Sequence, residues 1–269
     1  TGFYLSQNTL LGHKRLKILD VSNNSNQPYS RVNGKILIYN GEVYNYKELS
    51  KRLERETDFI NKNIISDTQI VYEILLRYKQ YSVNLFDGMF AFSWHDEDEN
   101  STLIVRDPLG QKPIYYYHDE NETIYSSELS PLTYLKKNLE LSKKNFVQYL
   151  KNSYYPGEST PFEKIYKLLP GHFLFLKSGN LSKIRYWNNN PTSNIQVNKD
   201  LSEQKIVDLF IEKFMESCQK TCVADVPVGI FLSGGIDSSL VYSAYKSLGI
   251  DIQSFTVGFH DNEFDESRM

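Results

Sequence analysis

The sequence predicts two successive folds: an α+β half built on antiparallel strands, followed by an α/β half built on a parallel sheet. Three observations lead there. The first part of the chain alternates short apolar segments with Gly, Pro, Asn and Asp turns, the pattern of half-buried strands in hairpins. The last part carries near-continuous apolar strands on either side of a helix, which is how a parallel sheet reads. Between them, residues 189–200 are rich in Asn, Ser, Thr and Pro without apolar periodicity and read as a linker. The expected domains are therefore 1–188 and 201–269.

In the first half, residues 35–39, 103–105, 114–117 and 172–176 alternate as strands do. A helix is predicted over 66–78, where Ile70, Val71, Ile74, Leu75 and Tyr78 form one apolar stripe behind a Ser66/Gln69 capping box, and another over 46–54. In the second half, Ile206, Phe210, Phe214 and Cys218, flanked by Val207 and Ile211, predict a helix over 203–219 with one buried face. A strand over 226–232, a helix from about 239 to 248 and a strand over 252–259 complete the pattern. There is no internal repeat and no low-complexity tract.

The 269 residues, 40% of them hydrophobic, suffice for two cores. Thirty Lys and Arg against 33 Asp and Glu, with no basic block, leave no electrostatic footprint for nucleic acid or an anionic membrane, so small molecules are the expected partners. No apolar run has the length to span a bilayer, and no charged-then-apolar leader opens the chain, so a cytoplasmic protein is expected. Cys218 and Cys222 lie four apart without a second ligand pair, which suits buried thiols better than zinc or a disulfide. The chain starts at Thr1 and stops at Met269 in mid-pattern, so a fragment is expected.

Ser233-Gly234-Gly235-Ile236-Asp237-Ser238-Ser239 falls between the first apolar strand and the following helix of the second half. Two glycines allow close approach of the backbone, and hydroxyls, N–H groups and a helix N-terminus favour an anion. Taken alone, the segment also reads as a Gly-Ser turn with an Asp/Ser helix cap. Asp237 beside a phosphate asks for a bridging divalent cation, and Mg²⁺ prefers a carboxylate with phosphate oxygens. The Gly-Lys-Ser/Thr ending of a Walker loop is absent, which argues against transfer of the γ-phosphoryl group.

This heptad resembles the PP-loop of the ATP pyrophosphatases. With Asp225-Val226-Pro227-Val228-Gly229 before it and Ser254-Phe255-Thr256-Val257-Gly258 after it, the resemblance narrows to the asparagine synthetase family. It implies an ATP site formed by Leu232, Ser233, Gly234, Gly235, Asp237, Ser238, Ser239 and Val257, with Asp237 meeting Mg²⁺ through the pyrophosphate. Leu232 and Val257 also read simply as strand ends in a core.

In the first half, Asn40-Gly41 between apolar runs reads locally as a type I′ hairpin turn, Arg15 as a solvated charge on an alternating strand, and Asp67 as an acidic residue favoured at a helix start. Yet Asn40-Gly41-Glu42-Val43-Tyr44-Asn45 is similar to a segment of the class II glutamine amidotransferases, and that resemblance implies an Ntn-hydrolase-like αββα sandwich. Asn40 and Gly41 would form an oxyanion hole, Arg15 would clamp the glutamine α-carboxylate and Asp67 the ammonium, with Leu16 and Glu42 in the same glutamine site. Arg106 to Pro113 and Ser126-Ser127-Glu128 also match family segments, the former read as turn and core structure. The family's N-terminal Cys nucleophile is not in the sequence, Thr1 is out of register for it, and Cys218 and Cys222 fall in the other half.

Together the resemblance implies asparagine synthesis from aspartate by a glutamine-using, AMP-forming ligase, with ATP and Mg²⁺ as cofactors and a homodimer as the assembly. The alternatives are an amidotransferase for another carboxylate, such as a sugar acid, peptide or natural product; a β-lactam-forming relative, against which Arg15, Asn40, Gly41 and Asp67 speak; and a non-catalytic binding module on a decayed glutaminase fold.

Overall fold

The computed structural model describes residues 1–56, 66–188 and 201–258. It divides into two compact units, Thr1–Leu16 with Ser22–Asn190, and Lys17–Val21 with Pro191–Met269. The expected linker, residues 189–200, lies outside the described residues.

In chain order the first unit contains β1 (Gly2–Leu5), β2 (Leu10–His13), β3 (Lys35–Val43), α1 (Tyr46–Glu56), α2 (Asp67–Tyr78), β4 (Gly88–Asp96), β5 (Ser101–Arg106), β6 (Tyr115–His118), β7 (Thr123–Ser126), α3 (Leu129–Leu135), α4 (Lys143–Asn152), β8 (Ile165–Lys167), β9 (His172–Lys177) and β10 (Asn180–Arg185). One antiparallel sheet has the order β10-β9-β5-β4-β3 and a second has the order β7-β6-β8, while β1 and β2 pair separately.

The strand period of two sorts β4 into two faces. Ala91 joins Ile104 and Leu174 of its own sheet against Ile114, Tyr116 and Leu168, and the hydroxyls of Ser93 and Tyr125 meet at 2.7 Å, so the odd positions of β4 look toward the second sheet. The even position Trp94 looks the other way and meets the Tyr72 ring of α2 edge-on at 5.1 Å. Tyr117 and Ile165, on the far face of the second sheet, pack on Leu132 of α3. The layers therefore run helix, sheet, sheet, helix, the expected αββα sandwich. Ile70, Ile74, Ile104, Leu132 and Ile165 are among the side chains with no more than 1% exposure, each contributing about 1.5–3 kcal/mol by burial.

A turn organised by the buried Asp107 follows β5. The Asp107 carboxylate accepts from the N–H groups of Leu109, Gln111 and Lys112 at 2.8 to 3.1 Å. Arg106 donates to the carbonyls of Gly110, Lys112 and Leu168. These residues are turn and core structure, as read from the sequence.

Three local expectations for this unit are corrected. Asn40-Gly41 is no hairpin turn: β3 continues to Val43, with Asn40 opposite Ala91 and Gly41 opposite Phe90. Arg15 is not on a strand, because β2 ends at His13. Ser66 is the N-cap of α2 but forms no capping box, since its hydroxyl is held by that of Ser25.

The second unit contains α5 (Glu203–Thr221), β11 (Gly229–Phe231), α6 (Ile236–Ser247) and β12 (Gln253–Phe255). β11 and β12 pair in parallel, as expected, though both are shorter than their apolar runs. Cys218, Ala244, Tyr245 and Ile252 form its core, with Phe214, Met215, Val228 and Ile230 against them. Cys218 is buried and Cys222 half-buried, so only one thiol is wholly inside. The apolar stripe of α5 is covered only in its C-terminal half, while Ile206, Val207, Phe210 and Ile211 are exposed. The short Lys17–Val21 piece joins this unit through Asp225, whose N–H donates to the Ile18 carbonyl at 3.0 Å and whose carboxylate accepts the Asp20 N–H at 2.7 Å. Among the described residues, no helix is long and apolar enough to cross a membrane.

Candidate functional site

The first site is built along the outer edge of β3. In an antiparallel pair, backbone groups of successive residues point alternately toward and away from the partner strand. The Gly34 carbonyl accepts from Glu97 and the Tyr44 N–H donates to Asp87, so even-numbered residues of β3 bond to β4. The odd-numbered residues direct their N–H groups to the open edge. There the Leu37 N–H donates to the Tyr29 carbonyl, the Tyr39 N–H to the side-chain oxygen of Gln27, and the Val43 N–H to Asp67 Oδ2 at 3.2 Å. Gly41 lies between the last two, and among the described residues its N–H meets no acceptor.

Gly41 is fixed as glycine by two facts. Its φ is +145°, and a Cβ there would stand 2.1 Å from the Met89 carbonyl oxygen. The strand thus holds one outward N–H donor rigidly, next to the exposed Asn40.

Asp67 stands beside that donor at the start of α2, where the helix dipole favours a negative charge. It is buried. Its Oδ2 also accepts the Tyr39 hydroxyl at 2.7 Å, and Oδ1 accepts the Thr68 N–H at 2.7 Å. Burial raises the Asp67 carboxyl above its ordinary range, while these donors and then the positive charge of Arg15 pull it back down. Burial also raises Glu42, helped by the negative charge of Asp67 and opposed by Lys112.

Arg15 is half-buried and donates to the Ser22 carbonyl at 3.2 Å. Burial and then the Arg15 charge push His13 down to about 4. Leu16 is exposed. Arg15, Leu16, Asn40, Gly41, Glu42 and Asp67 thus include a cation, an anion and an outward N–H donor on neighbouring segments, the three features that a zwitterionic α-amino acid with a side-chain carbonyl requires.

Tyr39 and Gln27 were not singled out from the sequence. Tyr39 reads as a core residue of an alternating strand, and its link to Asp67 spans 28 residues, so no local pattern reveals it.

The second site is the loop from Leu232 to Ser239. The Leu232 N–H donates to the Phe255 carbonyl at 2.8 Å, which ties the loop to the end of β12. Gly234 turns the chain with φ +87°, and Gly235 is the N-cap of α6 with no side chain capping the first turn. The free N–H groups of that turn, the dipole of a 12-residue helix and the open glycines fit an anion such as a nucleotide phosphate. The Ser238 hydroxyl accepts from the Ser233 N–H at 3.3 Å and donates to the Gly235 carbonyl at 3.1 Å, so it shapes the loop.

Asp237 lies in the first turn of α6 and is exposed, as Ser233 and Gly235 are; Ser239 is half-buried. Among the described residues no three acidic, His or Cys side chains gather to hold a metal, so an ion at Asp237 would take its remaining ligands from phosphate oxygens and water. Val257 is 66% exposed and lies beyond the end of β12, which corrects its reading as a core residue; Leu232 is half-buried. α6 starts at Ile236, three residues before the expected helix, because Gly235 caps it.

Residues 1–187 match the glutamine amidotransferase domain model, and residues 210–269 match the asparagine synthase model. The chain belongs to the glutamine amidotransferase domain family. The chain is 32% identical over 267 residues to "Asparagine synthetase [glutamine-hydrolyzing] 1" of Bacillus subtilis, a match covering 98% of this chain and 41% of that protein. It is 34% identical over 235 residues to "Amidase chry2" of Gibberella zeae, covering 86% of this chain and 34% of that one. Among solved structures it is similar to glutamine phosphoribosylpyrophosphate amidotransferase of B. subtilis, with TM-score 0.42 and 17% identity over 88% of this chain and 50% of that chain. The chain thus spans less than half the length of these curated relatives.

Proposed function

We propose that the whole protein makes asparagine from aspartate with nitrogen taken from glutamine. Aspartate, ATP, glutamine and water give asparagine, AMP, pyrophosphate and glutamate. The observation that carries this reading is the Gly41 N–H, held outward and without an acceptor among the described residues, between backbone groups already bonded to Gln27 and Asp67. In this reading the domains are 1–188 for glutamine, 189–200 as linker and 201–269 as the start of the synthetase domain.

Arg15 pairs with the glutamine α-carboxylate and Asp67 with its ammonium, flanked by Leu16 and Glu42. Asn40 and Gly41 donate to the carboxamide oxygen as it gains charge, a term worth on the order of 10²-fold or more in rate per donor. In the second unit, Leu232 and Val257 flank the nucleotide, Ser233, Gly234, Gly235, Ser238 and Ser239 form the cradle for the pyrophosphate, and Asp237 holds Mg²⁺ against it. Bound Mg²⁺ supplies charge neutralisation at the leaving pyrophosphate. A cytoplasmic homodimer belongs to the same reading.

Pyrophosphate release from Mg-ATP with aspartate and glutamine, followed beside asparagine by mass, tests it. Aspartate-dependent release with asparagine formed supports the reading. Release indifferent to aspartate moves the search to another acceptor, as the similarity to an amidase also suggests. Absence of release with any acceptor favours a binding module.

A further inference from the structure

We propose that Tyr39 is the positioning residue of Asp67: its phenol, donating to Oδ2 at 2.7 Å from inside the sheet, holds the carboxylate charged and turned so that Oδ1 is offered to an α-ammonium group. This rests on the glutamine reading of the site given above.

Three donors hold the Asp67 carboxylate. The side chain is buried, and it accepts from the Tyr39 hydroxyl, the Val43 N–H at 3.2 Å and the Thr68 N–H at 2.7 Å. The Val43 bond is the longest of the three, and the Thr68 bond falls on the other oxygen. Tyr39 is therefore the strong donor on Oδ2, leaving Oδ1 with the Thr68 N–H alone among these donors and with lone pairs for a ligand. The ring is itself immobilised, since Tyr39 is buried and its N–H is taken by Gln27.

The titratable groups facing this pair are Glu42 and Tyr44 of the β3 segment and Arg15 of the segment after β2. Glu42 opposes a charge on Asp67 and Arg15 favours it. Burial raises Tyr39 well above the ordinary phenol range, so it stays a donor throughout the physiological window. A phenol that never ionises is a fixed dipole, well suited to stabilise a buried carboxylate.

The test is ¹³C NMR titration of the Asp67 carboxyl in the 269-residue chain, assigned by its loss in Asp67→Asn, together with glutamine affinity across pH. In Tyr39→Phe the Asp67 midpoint is expected to rise by about one to two pH units, the equivalent of one charge-assisted hydrogen bond. The acid limb of glutamine affinity rises with it. Tyr125→Phe, which removes a phenol bonded to Ser93 elsewhere in the sandwich, should leave the midpoint in place.

If Tyr39→Phe fails to fold, 3-fluorotyrosine at position 39 keeps the ring and strengthens the donor, and the midpoint should fall. An unmoved midpoint in either variant, or an equal shift in Tyr125→Phe, overturns the proposal. A moved midpoint in a chain that binds no glutamine supports the hold of Tyr39 on Asp67 and removes glutamine as the ligand.

Discussion

A Cβ on Gly41 would meet the Met89 carbonyl oxygen at 2.1 Å, so the strand edge that carries the candidate oxyanion donor has no room for any side chain. Gly41→Ala must either shift β3 against β4 or abandon φ +145°. Strain of this kind costs about 1–3 kcal/mol before the steric term is added. Tm should fall by several degrees, at about 2–4 °C per kcal/mol for a domain of this size. Glutamine turnover in the whole protein should drop on the order of 10²-fold. Thermal melts alongside glutamate release check both. Unchanged turnover in a folded Gly41→Ala protein would remove the oxyanion role from this N–H.

The same position shows what the sequence could and could not tell. Asn-Gly is the commonest local signal for a hairpin, yet Asn40 and Gly41 pair with Ala91 and Phe90, about fifty residues away, and that pairing keeps the strand straight. Local preference lost to tertiary pairing, while the resemblance to a family segment singles out the same two residues as a candidate site. Ser66 failed as a capping box for a similar reason, because Ser25 from a distant loop takes its hydroxyl. Helix α2 and the Gly-rich loop were legible because both are contiguous patterns. The odd-numbered edge of β3, with Gln27 and Asp67 on either side of Gly41, was not legible, since it assembles three separate segments.

Asp67→Asn separates binding from stability. Burial raises the Asp67 carboxyl in the folded chain, so between its ordinary value and the raised one the native state holds the extra proton. Stability contributed by this group therefore falls as pH rises through that window, and the ionised form is a net cost above it. Asn does not titrate, so the stability of the wild-type chain relative to the variant should fall as pH rises on the acid side of neutrality. Glutamine affinity should weaken by roughly 10- to 100-fold, the loss of one charge-assisted contact. Denaturant melts at several pH values and calorimetric titration with glutamine measure the two effects. A wild-type-minus-variant difference that rises with pH across that range would contradict the direction argued here.

Asp107→Ala should act on stability. Its residue is fully buried and its carboxylate accepts from three backbone N–H groups of the turn. Stranding those donors is expected to cost about 3 kcal/mol or more, and Tm should drop by roughly 6–12 °C. Asp107→Asn keeps an acceptor and should lose less. Equal losses in the two variants would show that the charge, and not the geometry of the turn, holds residues 107–112.

Asp237→Asn should do the reverse. The side chain is exposed in the first turn of α6, and among the described residues no hydrogen bond or ion pair depends on it, so Tm should stay within about 1 °C. In the whole protein the exchange removes the carboxylate proposed to reach Mg²⁺, while the N–H groups of the loop remain. Nucleotide affinity should then fall tenfold or more with Mg²⁺ present but change little, or even improve, in EDTA, because a negative charge beside the phosphates is gone. Titration of ATP under the two conditions decides between roles. A loss that is the same with and without Mg²⁺ would mean that Asp237 shapes the loop, as Ser238 does, and does not meet the metal.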